Sequence, residues 1–324
     1  MRRLNFISVL EEPLTKNMAE FNKYLQHKVD DDLFIKEACT PLIKGGKRLR
    51  PMLFFVCSML NNNSSLERKL PLAAAIELIH TASLIHDDIL DQSKIRRGIP
   101  TANAKYGSQV SVLIGDYLFA KAFQLVAEGH YGDVVSSVLS TLVKDLCIGE
   151  ISQDSSLFQI PTLIEYHKRI YLKTAIFLSS CCKLGGIVAN LNEREIQSLS
   201  NYGSGLGIAF QIIDDLLDFF GDTKLTGKKI GGDLKSGVIT LPVIRALIVS
   251  DERHILSEIV TKNDITDSEI ERAIAIIHRT DAEEYCKNRA IAHIEAAKIN
   301  LPKINTTVTM ALEQIADFII KRDY

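Results

Sequence analysis

The chain has 324 residues, and 46% of them are hydrophobic, which is enough for a sizeable core in one or two domains. Its net charge of −2 gives no reason to expect nucleic acid as a partner. The six cysteines show no CxxC spacing, so we expect reduced thiols in a cytoplasmic protein rather than disulfides or a zinc site. No apolar segment follows Arg2 and Arg3, so no signal peptide is expected. No uninterrupted apolar run reaches the ~18 residues that span a bilayer, so any membrane contact should be peripheral.

Long tracts without proline dominate the sequence and predict long helices. Apolar residues recur within them at three- and four-residue spacing, and no period-two stretch predicts a strand. The predicted helices are 72–92, 108–129, 133–153, 162–186, 193–221 and 238–250. The first of them is apolar on every side, which is typical of a helix at the centre of a large bundle. No linker or low-complexity segment divides the chain, so we expect a single all-α domain over residues 1–324.

A short glycine-rich and basic segment, Gly45–Pro51, precedes the first of these helices. Its two glycines permit a close approach of the backbone, and Lys47, Arg48 and Arg50 supply three cations in four residues. This combination predicts an anion site. The GxxxxGK[ST] spacing of a Walker A loop is absent from the segment.

Two aspartate clusters of the same form carry the strongest chemical signal. Each has carboxylates at positions i, i+1 and i+4 of an apolar run: Asp87, Asp88 and Asp91, then Asp214, Asp215 and Asp218. On a helix, positions i and i+4 share a face, so like charges there repel, and burial raises the cost. Cations that bridge the carboxylates would offset this cost. Hard oxygen ligands that leave room for water and phosphate oxygens favour Mg²⁺.

Basic residues follow each aspartate cluster. Those after the first cluster are Lys94, Arg96 and Arg97. Those after the second lie in the glycine-rich segment 221–237 and are Lys224, Lys228, Lys229 and Lys235. Metal ions can bridge two oxygens of a diphosphate while Arg or Lys binds the others. The sequence therefore predicts a Mg²⁺–diphosphate site between two helices.

Six sequence elements, in order between about residues 40 and 245, resemble the trans-polyprenyl diphosphate synthases, closest in pattern to the bacterial heptaprenyl and octaprenyl enzymes. They are Gly45–Pro51, Leu84–Asp91, Arg96–Gly98, Lys173–Ala175, Gly207–Asp215 and Gly227–Leu234. The resemblance implies the isoprenoid synthase fold, a bundle of long helices around a central catalytic cavity. It implies a Mg²⁺-dependent prenyltransferase that adds isopentenyl diphosphate repeatedly to an allylic diphosphate, either farnesyl or geranyl diphosphate. By analogy with the family, we expect a homodimer.

The resemblance assigns a role to each candidate site residue. Mg²⁺ would be bound by Asp87, Asp88, Asp91, Asp214 and Asp218. The allylic diphosphate would be bound by Arg96, Lys173 and Lys228. Isopentenyl diphosphate would be bound by Gly46, Lys47, Arg50, His80 and Arg97. The reacting carbons would be faced by Lys173, Thr174 and Gln211, whose oxygens stabilise a carbocation.

Two small residues one turn before Asp87 bear on the length of the product. Because Cβ vectors lean toward the N-terminus of a helix, Ala82 and Ser83 would line the tunnel that receives the growing tail. Bulky aromatic residues at these positions give short products in the family. The small residues here imply a product of about 30 to 50 carbons, suited to a quinone side chain.

One position departs from the family pattern. Many members have a lysine shortly before Thr-Leu-Pro, which is residues 240–242 here, and this chain has Val238 near that position. Either one cation for the diphosphate is missing or Lys235 supplies it. A similar loop is familiar from the catalytic subunit of two-component bacterial heptaprenyl diphosphate synthases. A heteromer with a small regulatory subunit is therefore an alternative to the homodimer.

Two other classes of protein share part of the pattern. A non-catalytic regulatory subunit usually loses one aspartate cluster or the basic glycine segment, and this chain keeps all of them. A class I terpene cyclase would not need a second diphosphate site at Lys47 and Arg50. Such cyclases also usually replace the second aspartate cluster with an Asn/Ser/Glu triad. The sequence disfavours both functions.

Overall fold

The computed structural model describes residues 10–44, 46, 48–61, 64–96, 98–221 and 230–321, without the side chain of Lys44. The first helices in chain order are α1 Glu11–Lys28, α2 Leu33–Lys44, α3 Leu49–Ser58, α4 Leu66–Leu90, α5 Ala102–Tyr106 and α6 Ser108–Glu128. Next in chain order are α7 Asp133–Asp154, α8 Leu163–Ile170, the π-helical turn Tyr171–Ala175, α9 Ile176–Val188 and α10 Glu193–Phe220. The last are α11 Gly232–Lys235, α12 Leu241–Val249, α13 Arg253–Val260, α14 Asp267–His278, α15 Ala282–Ile299 and α16 Thr306–Ile320.

This architecture confirms the all-α class. Strands β1 Ile95–Arg96 and β2 Ile99–Pro100 form a two-residue antiparallel hairpin between α4 and α5. Five of the six predicted helices are present as single helices, and the predicted helix 162–186 is divided into three elements. Helix α4 begins before Pro71, where the sequence predicted no helix. Helices α1–α3, α5, α11 and α13–α16 were not among the predicted elements. In α15, for example, charged and apolar residues alternate around the helix without forming a clear apolar stripe.

The chain groups into two compact units, and the predicted single domain remains a prediction. Unit 1 contains the described residues within 1–143, 181–197 and 303–311. Its central element is α4, which packs most extensively on α6 and also contacts α1, α2, α3 and α5. All residues from 72 to 79 are buried, as expected for a helix that is apolar on every side. The last turn of this helix carries the first aspartate cluster.

Unit 2 contains the described residues within 144–180, 198–302 and 312–324. Here α12 packs against α8, α13, α14 and α15, and α10 buries Tyr202, Leu206 and Phe219. Capping boxes begin two of its helices: Thr162 with Glu165 at α8, and Thr266 with Glu269 at α14. The last two turns of α10 carry the second aspartate cluster.

The predicted helix 162–186 is not continuous, because the π-helical turn Tyr171–Ala175 interrupts it. Such a turn adds one residue to the helical circuit and is often found at functional sites. It leaves the Lys173 side chain exposed, while the neighbouring Leu172 and Thr174 are buried. The sequence pattern shows only the apolar spacing and does not reveal this change of pitch.

Two helical stretches are long and apolar enough to cross a membrane when judged by length and composition alone: Ser108–Glu128 and Leu163–Val188. In their most apolar windows, 39% and 67% of the residues are buried, respectively. The core helices of soluble proteins pass the same test, so these stretches are weak evidence for a membrane span.

A close helix contact in unit 2 gives the first prediction. A Cβ atom added at Gly207 of α10 would lie 2.3 Å from the Ala175 Cα atom, which is too close without a backbone shift. We expect Gly207→Ala to lower the free energy of unfolding by about 1–3 kcal/mol, the usual cost of overpacking. Thermal unfolding would measure the loss, with Ser204→Ala on the same helix as the control. An unchanged midpoint in Gly207→Ala would show that the two segments separate at no cost.

Candidate active site

The first aspartate cluster lies at the C-terminal end of α4. The backbone N–H of Asp91 donates a hydrogen bond of 2.8 Å to the carbonyl oxygen of Asp87, which confirms their i, i+4 relation on a helix. Asp88 is only 2% exposed, and its Oδ1 accepts a hydrogen bond of 2.7 Å from Arg96 Nε. Asp87 is half-buried and Asp91 is exposed. The middle aspartate is therefore held by the protein, while the outer two lie nearer to solvent.

Burial and a cation act on Asp88 in opposite directions. Burial raises the pKa of its carboxyl, whereas the hydrogen bond and the charge of Arg96 lower it. The charge of Asp91 adds to the rise in pKa. Arg96 is thus a structural partner of the cluster as well as a candidate ligand of the diphosphate.

The second cluster repeats this arrangement at the end of α10. Asp215 is 4% exposed, and its two oxygens accept hydrogen bonds of 2.8 Å from the Tyr166 hydroxyl and from Gln211 Nε2. Burial raises the pKa of Asp215 to about 6, although both hydrogen bonds and the charge of Arg169 oppose the rise. Asp214 is exposed. Again the middle aspartate has partners within the fold.

The third aspartate of this cluster organises the chain that follows. Asp218 Oδ1 accepts a hydrogen bond of 3.1 Å from the backbone N–H of Gly232, and Oδ2 accepts one of 2.9 Å from the backbone N–H of Asp233. The carbonyl oxygen of Asp218 also accepts from the N–H of Gly231, whose φ of +82° lies in the left-handed region that glycine tolerates. These bonds hold Asp233 beside the cluster.

The pKa of Asp233 reflects the excess of negative charge at this end of α10. Burial raises its pKa to about 8, with further contributions from the charges of Asp215, Asp218 and Asp214. Lys173 acts in the opposite direction. A carboxyl that keeps its proton near neutral pH is a sign that a nearby cation would be stabilising.

Helix dipoles add to the free-energy cost of placing several carboxylates close together. Both clusters lie in the last turns of long helices, where the unpaired carbonyl groups carry partial negative charge. Carboxylates are stabilising at the opposite end of a helix. The position of each cluster therefore favours a bound cation for a reason that is independent of the repulsion between its carboxylates.

Of the three residues expected to face the reacting carbons, the structure brings Thr174 and Gln211 into contact, whereas the Lys173 side chain points away from them. The Thr174 hydroxyl donates to Gln211 Oε1 over 2.7 Å. Lys173 Nζ donates a hydrogen bond of 3.1 Å to Gln153 Oε1 and lies 3.5 Å from Glu150 Oε2. The π-helical turn exposes Lys173 on one side and presents Thr174 to α10 on the other.

The next candidates are the residues of unit 1 that were expected to bind isopentenyl diphosphate. Arg50 Nη1 lies 3.2 Å from His80 Nε2, so the structure brings these two predicted residues together. The neighbouring Arg48 instead forms an ion pair with Glu77. Gly46 is exposed and has a φ of +94°. The candidates that lie outside the described residues are Lys47, Arg97 and Lys228.

A family model decides the classification of the chain. The model of the polyprenyl synthetases matches residues 33–277, which include both aspartate clusters. The chain belongs to the polyprenyl synthetase family. It is therefore a prenyltransferase, as the resemblance of its motifs implied.

Relatives cover almost its whole length. The chain is 37% identical over 318 residues to a short chain isoprenyl diphosphate synthase from Methanocaldococcus jannaschii, covering 94% of this chain and 96% of the relative. It is 36% identical to heptaprenyl diphosphate synthase component 2 from Geobacillus stearothermophilus, covering 96% and 97%. A polyprenyl synthase from Caulobacter crescentus, solved with calcium and isoprenyl diphosphate, has a TM-score of 0.89 at 31% identity and 98% coverage of both chains.

The donor atoms of this polyprenyl synthetase suit Mg²⁺. Among the residues that the structure describes, no three His, Cys, Asp or Glu side chains lie close enough to hold a metal by themselves. Mg²⁺ usually keeps several waters and binds through one or two carboxylates together with substrate phosphates. Each cluster offers two outer carboxylates one helical turn apart, which meets this requirement without a complete protein cage.

The candidate residues for product length differ in burial. Ala82 is fully buried, and Ser83 is half-buried with its hydroxyl donating a hydrogen bond of 2.9 Å to the carbonyl oxygen of His80.

Near the departure from the family pattern, Lys235 is exposed, and its Nζ lies 3.4 Å from Asp267 Oδ1. Val238 is held by a backbone hydrogen bond to Asp233.

Sequence reasoning missed three contributors to this site. Asp215 was counted in the second aspartate cluster but had no individual role, and Tyr166 and Asp233 had none, although Asp215 and Asp233 lie within the motifs that carry the resemblance. Tyr166 is a single tyrosine in the first turn of a helix, 49 positions from its partner, so no local pattern could reveal it. The spacing of Asp233 from Asp218 depends on the turn at Gly231.

The raised pKa of Asp233 predicts how metal-free protein responds to pH. The unfolded chain loses this proton near pH ~4, whereas the folded chain keeps it to about pH 8. The folded state therefore binds more protons in this window, and stability should fall as the pH rises through it. Mg²⁺ should raise the thermal midpoint more at pH 8 than at pH 6, because ionised carboxylates bind it better.

Thermal unfolding with and without Mg²⁺ measures both effects. Asp233→Asn should weaken the dependence of the midpoint on pH, whereas Asp251→Asn, at an exposed aspartate, should not. A pH dependence that is the same in both variants would contradict the assignment to Asp233.

Proposed function

We propose that this prenyltransferase extends farnesyl or geranyl diphosphate by repeated addition of isopentenyl diphosphate. Its product would carry about 30 to 50 carbons and supply a quinone side chain. The observation that carries the proposal is the pair of similar aspartate clusters in a polyprenyl synthetase. In each, the middle carboxylate is held by the protein and the outer two lie at a helix C-terminus.

The outer aspartates would bind Mg²⁺. These residues are Asp87, Asp91, Asp214 and Asp218, and Asp88 remains the fifth proposed ligand from the resemblance. When bound, Mg²⁺ supplies charge stabilisation for the departing diphosphate. Asp88 would also orient Arg96 through its hydrogen bond to Nε, and the guanidinium of Arg96 would bind the allylic diphosphate. Lys173 and Lys228 would bind the same diphosphate.

The polyprenyl synthetase needs no side-chain nucleophile. Loss of the diphosphate leaves an allylic carbocation, which the oxygens of Thr174 and Gln211 would stabilise. The double bond of isopentenyl diphosphate attacks this cation, forming the new carbon–carbon bond. A proton then leaves the adduct and passes to the released diphosphate. Thr174 is only 8% exposed, which supports a site shielded from the water that would capture the cation.

Isopentenyl diphosphate would be bound by basic residues of unit 1. The 3.2 Å contact between Arg50 and His80 supports a shared anion site. The positive φ of Gly46 supports a turn in which the backbone can approach a phosphate. Lys47 and Arg97 would complete this site, and both lie outside the described residues.

The proposed product length rests on residues 82 and 83. Relatives named as a short chain synthase and as a heptaprenyl synthase component match this chain almost equally well, so identity does not discriminate between product lengths. Ala82 and Ser83 are small, and an aromatic side chain at either position would occupy the space that a long tail needs.

For the assembly, we propose a homodimer in the cytoplasm. The match to a component 2 protein supports the alternative that this chain is the catalytic subunit of a two-component heptaprenyl diphosphate synthase. The two complete aspartate clusters argue against a non-catalytic regulatory subunit.

Removal of a proposed metal ligand should abolish most activity without unfolding the protein. We expect Asp87→Ala and Asp214→Ala each to lower kcat by about 100-fold or more, because charge on the departing diphosphate loses its stabilisation. Incorporation of labelled isopentenyl diphosphate measures kcat, and thermal unfolding checks the fold. Glu258→Ala, at an exposed acidic residue, is the control. Near-normal activity in either aspartate variant would contradict the metal assignment.

A bulky residue at position 83 should shorten the product. Ser83 is half-buried, so Ser83→Phe is easier to accommodate than Ala82→Phe in the fully buried neighbouring position. We expect Ser83→Phe to stop elongation several additions earlier, as measured by chromatography of the dephosphorylated products. Ser83→Ala, which removes only the hydroxyl, should keep the wild-type length. An unchanged length in Ser83→Phe would remove this residue from the tunnel.

A further inference from the structure

A chain of hydrogen bonds in unit 2 joins a catalytic candidate to residues that have no assigned role. The Thr174 hydroxyl donates to Gln211 Oε1, and Gln211 Nε2 donates to Asp215 Oδ1. The Tyr166 hydroxyl donates to Asp215 Oδ2. The three distances are 2.7, 2.8 and 2.8 Å. Each oxygen of the Asp215 carboxylate thus accepts a hydrogen bond from a side chain of unit 2.

We propose that Asp215, held by Tyr166, is a positioning residue that sets the orientation of the Gln211 side-chain amide. The proposal rests on the proposed function, in which the Gln211 carbonyl oxygen stabilises the carbocation. It gives the second aspartate of this cluster a role distinct from that of its neighbours at positions 214 and 218. Tyr166 acts through Asp215 and does not itself contact the reacting carbons.

The orientation of an amide is not fixed by its shape, because its oxygen and its nitrogen are nearly the same size. A carboxylate can only accept hydrogen bonds, so it must face the NH₂ group. This leaves the carbonyl oxygen of Gln211 on the side of Thr174, where the hydroxyl donates to it. A rotated amide would place its oxygen against Asp215, which would lose one hydrogen bond and bring two acceptors together. It would also point an NH₂ group, which repels a cation, toward the reaction.

The surroundings restrain the carboxylate. Tyr166 is fully buried in the first turn of α8, and Asp215 is 4% exposed. The Arg169 guanidinium lies over the Tyr166 ring, 5.7 Å from its centroid, and donates to the carbonyl oxygen of Ile239. The tyrosine ring is therefore packed between α8 and its neighbours, and its hydroxyl holds the carboxylate in a defined place.

The matched pair of variants is Tyr166→Phe and Tyr202→Phe. Each removes one hydroxyl from a fully buried ring of unit 2, and the Tyr202 hydroxyl donates to the carbonyl oxygen of Leu312 at 2.6 Å. We expect Tyr166→Phe to lower kcat by about 10- to 100-fold, the usual effect of losing a group that orients a site residue. The KM for isopentenyl diphosphate and the Mg²⁺ concentration for half-maximal rate should stay at wild-type values. Tyr202→Phe should keep the wild-type kcat even if its thermal midpoint falls as far.

A double-mutant cycle tests whether Tyr166 acts through Asp215. Asp215→Asn should lower kcat at least as far as Tyr166→Phe, because an amide at position 215 can donate to Gln211 Oε1 and turn it. The double variant should be no slower than Asp215→Asn alone, since the two residues serve one function. A wild-type kcat in Tyr166→Phe, an equal loss in Tyr202→Phe, or multiplicative losses in the double variant would overturn the proposal. A large rise in the Mg²⁺ requirement of Tyr166→Phe would also overturn it, in favour of a role in metal binding.

The outcome can be separated from that of the proposed function. An inactive wild-type chain would contradict the proposed function, whereas the positioning of Gln211 can still be read by NMR. The side-chain NH₂ signal of Gln211 should shift in Tyr166→Phe and stay in place in Tyr202→Phe. An unchanged signal in both variants would overturn the positioning role, whatever the activity.

Discussion

The structure depends on carboxylates placed at the unfavourable ends of two helices. Both aspartate clusters lie where the helix carbonyl groups already concentrate negative charge, and each sets like charges one turn apart. A protein without a cationic ligand would gain stability by replacing them. The raised pKa of Asp233, caused by burial and by three neighbouring aspartates, shows how strongly this end of α10 favours positive charge. The arrangement is therefore a cost in folding that binding of Mg²⁺ and diphosphate would offset.

The fold limits that cost by giving each middle aspartate its own partners. Asp88 is paired with Arg96, and Asp215 accepts hydrogen bonds from Tyr166 and Gln211. These bonds anchor the clusters and connect them to other parts of the proposed chemistry: one to a candidate ligand of the diphosphate, the other to the amide that would face the carbocation. The outer aspartates are the proposed ligands of Mg²⁺, and Asp218 also accepts hydrogen bonds from the backbone N–H groups of Gly232 and Asp233. A cluster of three carboxylates thus divides into two functions within five residues.

Sequence predicted the features that depend on spacing along the chain. The long helices, the all-α class and the family followed from apolar periodicity and from motifs such as Asp87–Asp91. The π-helical turn could not be predicted, because Leu172 to Ala175 keep the apolar spacing of an ordinary helix. Tyr166 was missed because its partner is 49 positions away and only packing brings them together. Product length stays a prediction, since it depends on the space beyond Ala82 and Ser83 rather than on a motif.

The most direct test is an incubation of the purified chain alone with Mg²⁺, farnesyl diphosphate and labelled isopentenyl diphosphate, followed by sizing of the product. The account predicts a Mg²⁺-dependent product of about 30 carbons or more, which the tunnel proposed at residues 82 and 83 would accommodate. Activity that persists without a divalent cation would contradict the role given to both aspartate clusters. Products that stop after one or two additions would contradict the long-chain assignment for the chain alone.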